Sequence, residues 1–333
     1  MGRKIKAIFT SLLVALLTSC DSGTSVPAGK GFPGAEWQMK TPEEVGLDSA
    51  KLEKNLSSFS GPVIVIRDGY LIYSKGDLTK QVQTFSVSKS ITALIFATLL
   101  QQGKLNYDDL VPDSDLPSAP QASFRHFLTM TSDYGLNPHN PGKHYAYNNN
   151  AIHFYGGYIA TTFFRTKSPR KVLQEAIWNH IGRQDPVSFS GQWGGWDGGF
   201  AISPRDLARI GHLVLNEGNW NGIQVLSSSF VKQLYLSQIP VDATANYDKG
   251  PNNKWNQHQF SDELKGKYSF AWWILDPETD SPKAISASGY RGKQLVICPE
   301  YNLVIVGMPH QKNAPDAIEY VGAVTTALKE STK

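Results

Sequence analysis

Thr84-Phe85-Ser86-Val87-Ser88-Lys89-Ser90 opens a stretch in which Val87, Ile91, Leu94, Ile95 and Leu99 recur at helical spacing, with Gly103 as the stop. The face they define is almost wholly apolar, so a helix over 86–102 is expected to lie buried at the centre of the molecule. On its first turn, Ser86 and Lys89 stand three residues apart and face the same way, which brings an amine within reach of a hydroxyl. A buried amine is disfavoured in its charged form and can then serve as a base toward serine. A serine at this place can equally be the helix N-cap. The S-x-x-K spacing occurs three times, and the other two copies have a different context. Ser168-Pro169-Arg170-Lys171 is charged and exposed in character, and Ser229-Phe230-Val231-Lys232 lies in a serine-rich helix start where Ser229 reads as a cap. Only the Ser86 copy heads a long apolar helix.

Upstream of this helix, Asp48 caps an amphipathic segment with Leu52, Leu56 and Phe59 on one side. Val63 to Ile66 and Tyr70 to Tyr73 flank Asp68-Gly69 and predict a hairpin with a two-residue turn. Downstream, 104–150 is polar and reads as loops and short helices. Ser203-Pro204-Arg205-Asp206 then starts a helix through Leu207, Ile210, Leu213 and Val214. Gln294 to Ile297 and Leu303 to Met308 predict a second hairpin across 299–302. Asp316 to Leu328 closes the chain as a helix with Ile318, Val321 and Leu328 inward. Helix, strands, a long helical middle, strands and helix make a single α+β unit. Its antiparallel sheet is built from both chain ends and flanked by helices, with a mainly helical middle layer.

The 333 residues are 41% hydrophobic and 18% charged, which excludes collagen-like, disordered and multi-span membrane chains. The formal charge of +3 comes from the first residues. Arg3, Lys4 and Lys6 precede an apolar run from Ile8 to Leu17 and then Leu17-Thr18-Ser19-Cys20, the pattern of a secretory leader. Its last four residues resemble a bacterial lipobox, which implies cleavage before Cys20 and lipidation of that cysteine. Removing residues 1–19 takes three of the 32 positive residues and leaves 29 against 29 negative ones. With no basic stripe left, a nucleic-acid partner is not expected. Residues 20–35, rich in Ser, Gly and Pro, read as a flexible tether and 36–333 as the folded domain. The other cysteine, Cys298, lies in an apolar run and is expected to be buried and inert.

Two further segments carry possible chemistry. Of fourteen tyrosines only Tyr147 is followed two residues later by asparagine, in the polar loop Tyr147-Asn148-Asn149. A phenol beside an ammonium can take or relay a proton; an ordinary surface loop is the alternative. Ser286-Ala287-Ser288-Gly289-Tyr290-Arg291-Gly292 precedes a strand, and its small residues let a strand edge approach a substrate closely. There is no Gly-x-Ser-x-Gly elbow, no His-Glu-x-x-His, no phosphate-binding Gly-x-x-x-x-Gly-Lys loop and no paired Cys-x-x-Cys, so neither a metal nor a cofactor is expected. The scattered histidines, His139 and His144 among them, read as surface or structural. Trp193, Trp196, Trp272 and Trp273 read as core or as lining of an acyl pocket.

Taken together, Thr84 to Ser90, Tyr147-Asn148-Asn149 and Ser288-Gly289-Tyr290 resemble, in this order, the serine β-lactamase-related family. That family includes class C β-lactamases, DD-peptidases, family VIII esterases and 6-aminohexanoate-dimer hydrolases. Phe127 to Ser132, Gly198 to Arg209 and Gly218 to Gly222 resemble it too, and the likeness covers about 36–330. It implies Ser86 as nucleophile, Lys89 as its activating partner, Tyr147 as base and proton relay, and Asn149 as a holder of lysine and substrate. It also implies an oxyanion hole from the N–H groups of Ser86 and Tyr290, with Ser288 and Gly289 on the substrate-binding edge. Penicillin-recognising members carry Lys or His where this chain has Ala287, and a charge-assisted contact is worth about 1.5–3 kcal/mol. Arg291 or Lys293 could replace that cation only if the strand directs them inward. The expected activity is therefore an exported, membrane-anchored serine hydrolase acting on a small ester or amide. A DD-peptidase or β-lactamase, and a non-catalytic binding lipoprotein, are the alternatives.

Overall fold

Strict alternation along the strands gives the sheet two buried faces. In β1 (Val63–Arg67), Val63 and Val65 enter one apolar cluster while Ile64 and Ile66 enter the other. The same division runs through β6 (Lys293–Cys298), where Val296 and Cys298 oppose Leu295 and Ile297. The computed structural model describes residues 29, 31–112, 121–191, 195–246, 264, 266–275, 283–311 and 313–329. The expected leader, Cys20, the tether up to residue 28, and Trp193 lie outside the described residues.

The remaining strands of the main sheet are β2 (Tyr70–Lys75), β3 (Tyr268–Ser269), β4 (Trp272–Leu275), β5 (Ala284–Gly289) and β7 (Leu303–Gly307). All seven are antiparallel in the order β3-β4-β5-β6-β7-β1-β2, so β1 and β2 from the first part of the chain join five strands from the last. The seam is the pairing of Val63 with Gly307 through Arg67 with Leu303. Both predicted hairpins are present, with Asp68 and Gly69 at positive φ in the first turn.

One face of the sheet is covered by α1 (Ser49–Leu56) and α5 (Ala317–Thr325). Asp48 caps α1 through the Lys51 amide, and Asp316 and Glu319 form a reciprocal capping box on α5. The inward side of α5 differs from the sequence reading. Ala317, Tyr320, Val321 and Val324 are buried, whereas Ile318 is exposed and Leu328 lies past the helix, half-buried. Ile318 is one residue, about 100° of helical rotation, off the stripe set by Ala317 and Val321.

The other face carries α2 (Val87–Gln101) and α4 (Pro204–Leu215), with α4 against β1, β6 and β7 and α2 against β5 and β6, and α3 (Asn149–Phe163) packs on α2. Ser203 caps α4 with Pro204 at its start, as read from the sequence. Helix α4 also holds the polypeptide around 31–35. Arg209 donates to the carbonyls of Gly34 and Ala35, and His212 Nε2 lies 2.7 Å from the Gly31 carbonyl. Burial pushes His212 down to about 4, so it is neutral and donates that bond at neutral pH. Cys298 is a buried free thiol, pushed up to about 11 by burial, as befits an inert core residue. No helix among the described residues is long and apolar enough to cross a membrane.

Candidate active site

The chain enters α2 through a backbone turn that few side chains tolerate. Phe85 sits at φ 49°, the left-handed region, and swings the chain from the short strand Val82–Gln83 into the helix. Ser86 occupies the N-cap position but with helical dihedrals, and its side chain makes no capping bond. The hydroxyl instead accepts a hydrogen bond from Lys89 Nζ at 3.0 Å. The other two S-x-x-K serines sit at ordinary helix starts. Ser168 accepts from the Lys171 amide at 3.4 Å. At the last copy the cap is Ser227, not Ser229, because the helix begins at Ser228; Ser229 only shares a hydroxyl contact of 2.8 Å with Ser227.

Helix α2 is buried even where it is polar, because its hydroxyls bind elements packed around it. Ser88 contacts Thr84 Oγ1 at 2.9 Å and accepts from the Phe200 amide. Ser90 donates to the Ala271 carbonyl at 2.6 Å, and Thr92 to the Trp196 carbonyl at 2.8 Å. Lys89 is 1% exposed, and its second bond, 2.9 Å long, goes to the main-chain carbonyl of Asp197. The amine is thus held from two sides, with one arm on the serine oxygen.

Asp197 is the residue the sequence reading missed. It ends the 3-10 turn Gly195–Asp197, packed on α2 and α3, and touches Lys89 through its backbone, which no side-chain motif announces. The only trace in the sequence is the run of glycines at 194, 195, 198 and 199. Its carboxyl is pushed up by burial, opposed by the nearby Lys89 charge, and lies 3.9 Å from His153 Nδ1.

Tyr147 joins this group from the loop before α3. The ring lies under the Lys89 ammonium, 4.9 Å from Nζ to its centroid, and stacks on Trp273 at 6.2 Å. It is buried rather than a surface-loop tyrosine. The loop is tied down around the buried Asp133, whose carboxylate accepts from His144 Nδ1 at 2.8 Å and from Asn246 at 2.9 Å. Asn148 caps α3 through the Ala151 amide, and Asn149 is the first helical residue. His139 and His144 are structural, both bonded to Asp133.

The third segment forms the end of β5. A Cβ on Gly289 would come within 2.4 Å of the Thr84 carbonyl, so only glycine lets this edge lie against the turn that delivers Ser86. Tyr290 follows, 54% exposed, with its ring edge-on to Phe85 at 5.6 Å. Ser288 donates to Gln294 Oε1 at 2.8 Å. Ala287 is fully buried, and Lys293 does not take the place of a cation there. Its side chain is buried, with Nζ donating to the Pro309 carbonyl, and it is pushed down to about 8 by burial and by Arg291. Of the tryptophans, Trp196 and Trp272 are core, and Trp273 is partly buried beside Tyr147. Among the described residues no group of three His, Cys, Asp or Glu side chains converges as a metal site would require.

The three segments converge on the front of α2 in a fold made of an antiparallel sheet with a helical layer, the arrangement of β-lactamases and penicillin-binding proteins. The beta-lactamase family model matches residues 51–324, and the chain belongs to that family, one of serine hydrolases. It is similar to an uncharacterized protein of Alkalihalophilus pseudofirmus, 29% identical over 131 residues, or 37% of this chain and 34% of that protein. The match thus spans about a third of that relative's length. Among solved structures, it resembles a Bacillus anthracis protein named as a candidate 6-aminohexanoate-dimer hydrolase. That likeness has a TM-score of 0.59 and 16% identity over 92% of this chain and 88% of that one. An octameric penicillin-binding protein homologue from Pyrococcus abyssi gives a TM-score of 0.59 and 16% identity, covering 86% and 79%. EstCE1, a hydrolase with promiscuous acyltransferase activity, gives 0.60 and 13%, covering 83% and 98%. At these identities the likeness is one of fold.

Proposed function

We propose that this chain is a serine hydrolase that cleaves small esters or amides through an acyl-enzyme on Ser86. The observation that carries the reading is the 3.0 Å hydrogen bond from the buried Lys89 to a serine hydroxyl that does no capping. In this reading Ser86 Oγ attacks the substrate carbonyl and its proton passes into the Lys89–Tyr147 pair, which returns it to the leaving group. The N–H groups of Ser86 and Tyr290 stabilise the oxyanion, and Gly289 allows that edge to stand close enough. Asn149 holds the substrate's carbonyl side, and Ser288 lines the same edge. Water then attacks the acyl-enzyme and releases the acid.

Ester or amide hydrolysis is favoured over β-lactam or peptidoglycan turnover by what replaces the family's cation. Ala287 has no charge, and the Lys293 ammonium is committed to Pro309. The leader and Cys20 support placement on the outer side of a bacterial membrane through a lipid anchor. Labelling with a fluorophosphonate, alongside a fluorescent penicillin and a Ser86→Ala control, tests the reading. Fluorophosphonate labelling that vanishes in Ser86→Ala, without penicillin labelling, is the expected result. Stable penicillin labelling of Ser86 would move the assignment to a DD-peptidase or β-lactamase, and a folded protein that neither probe labels would be a binding lipoprotein.

A further inference from the structure

We infer that the end of the sheet opposite Ser86, where the chain enters the folded domain, rests on a phospholipid surface, with Met39 and Ile223 in the interface and the active site turned toward the aqueous side. The inference rests on the lipid-anchor reading above and adds an interaction surface and an orientation to it.

The register of the sheet tells its two ends apart. Ser288, Gln294, Gly307 and Val63 are paired in one row across β5, β6, β7 and β1, and beside that row Gly289 lies on the turn that delivers Ser86. Arg67, Leu303 and Cys298 form a row at the other end, about 13 Å further along the strands. The chain comes in at this second end. Gly31 lies against Gly69 in the β1–β2 turn, and its carbonyl meets His212 in the last turn of α4. Phe32 is edge-on to His212 at 5.1 Å and to Trp220 at 5.4 Å, which fixes the point of entry on the domain.

Two exposed apolar side chains flank that entry. Gly29 lies between Gln38, whose Nε2 donates to its carbonyl at 3.4 Å, and Asn221 in the short hairpin of 219–220 and 223–224. The neighbour of Gln38 is Met39, 74% exposed, and two residues beyond Asn221 is Ile223, 57% exposed. Charge at this end is mixed, with Arg67 and Lys40 set among Asp68 and Glu300. Apolar contact, rather than attraction to anionic lipid, therefore holds this surface on a bilayer.

The length of chain before Gly29 makes a bilayer the occupant. Cys20 stands nine residues ahead of Gly29, a span of at most about 30 Å when fully extended. A domain of about 300 residues is about 50 Å across. A lipid on Cys20 therefore keeps the Met39–Ile223 end nearest the bilayer. It also makes the contact intramolecular, so two apolar side chains suffice where they would not hold a free protein. Val241 is more exposed, at 90%, but it stands beside the Tyr147 loop, since Asp242 bonds Lys143 and Thr244 pairs with His144. Seating on Val241 would turn the site toward the lipid. With the tether end down, substrate reaches Ser86 from water rather than out of the bilayer.

The test uses the full-length, lipidated protein reconstituted in phosphatidylcholine vesicles. Cys298 is buried and Cys20 carries the lipid, so a cysteine placed at Met39, Ile223, Val241 or His310 is open to an environment-sensitive fluorophore. His310 is exposed just beyond β7, at the Ser86 end of the sheet. Nitroxide-labelled lipid should quench the Met39→Cys and Ile223→Cys labels at least about twofold, as a contact sunk about 5–10 Å into the interface would. The Val241→Cys and His310→Cys labels should stay near their values in plain vesicles. Salt at about 0.5 M should leave the pattern unchanged. Met39→Glu should cut the quenching of the Ile223→Cys label by about half, because apolar area in the interface sets the strength of the contact. All four positions are exposed, and melting temperatures check that each variant folds. Equal quenching at the four positions, quenching at none, or stronger quenching at Val241 or His310 overturns the inference while the anchor stands. Labelled palmitate incorporated by the native chain and not by Cys20→Ser supports the anchor. A chain that takes up no palmitate removes the anchor reading and this inference together, and leaves Ser86-dependent fluorophosphonate labelling untouched.

Discussion

The two faces of the sheet solve different problems with the same strands. Against α1 and α5 the buried cluster is aliphatic or aromatic apart from one thiol, with Leu52, Val65, Val296, Cys298, Ile305 and Val324 among its members, and the strand residues Ser286 and Gln294 add a small polar patch at its edge. Against α2 the interior also holds Thr84, Ser88, Lys89, Ser90, Thr92 and Asp197. Hydroxyls and an amine can be buried there because each meets a partner donor or acceptor from another segment. The first face is mostly packing, whereas the second trades more of it for a fixed polar array around an amine, and that array is where the proposed chemistry lies.

This contrast can be broken from either side, and the largest effect should come from the polar face. Ser86→Ala should reduce fluorophosphonate labelling to background, and Lys89→Met should slow it by about 10²–10⁴-fold. Because Met retains the volume without a buried charge, the Lys89→Met melting temperature should fall little, if at all. A drop in labelling that tracks global unfolding would blur the two faces into one.

Two glycines sharpen the comparison. Gly289→Ala brings a methyl against the Thr84 carbonyl, and Gly307→Ala brings one within 2.1 Å of the Tyr320 hydroxyl on the opposite face. Overpacking costs about 1–3 kcal/mol in either place. Only Gly289→Ala should also slow Ser86 labelling, by at least tenfold well below its melting temperature. Equal labelling rates in the two variants would show that the β5 edge does not position Ser86. Leu52→Ala, wholly within the apolar face, should lower stability by about 2–5 kcal/mol in urea titrations and leave the labelling rate of the folded enzyme unchanged.

A last prediction concerns pH and leaves the site itself untouched. His212 is neutral when folded, with its value pushed down to about 4 against 6.5 for the free side chain. The unfolded chain therefore binds the extra proton between these values, and stability present above pH 6.5 is lost as pH falls toward 4. The loss from this residue amounts to at most about 3 kcal/mol. Melting temperatures from pH 7 to 4 should decline less steeply in His212→Gln, and identical slopes would remove His212 as the cause.

Much of this was legible in the sequence where one periodicity or one turn decided the structure. Asp48, Asp68-Gly69, Ser203-Pro204 and the apolar series from Val87 to Leu99 carry local signals, and their elements formed as expected. Ile318 faces outward because the buried stripe runs through Ala317, Tyr320, Val321 and Val324, and Ser229 does not cap because the helix starts at Ser228 with Ser227 as its cap. The direction of Lys293 could not be read, since it depends on Pro309 packing beside the turn. Asp197 could not be read either. Its contact with Lys89 is made by a carbonyl oxygen, which every residue possesses.

The seam between β1 and β7 has a consequence for how the molecule comes into being. Val63 must find Gly307 across most of the chain, while hairpins such as β1–β2 and β6–β7 need only their neighbours. Pairings of such long range are slow to close, because the entropy of the intervening loop is lost before any contact compensates for it. During synthesis α2 emerges long before the strands it packs on, β5 and β6, so its buried amine and hydroxyls have to wait in water. In the mechanism proposed above Ser86 becomes reactive only after Gly289 arrives, so the appearance of probe labelling on a growing chain would serve as a clock for the closing of the sheet.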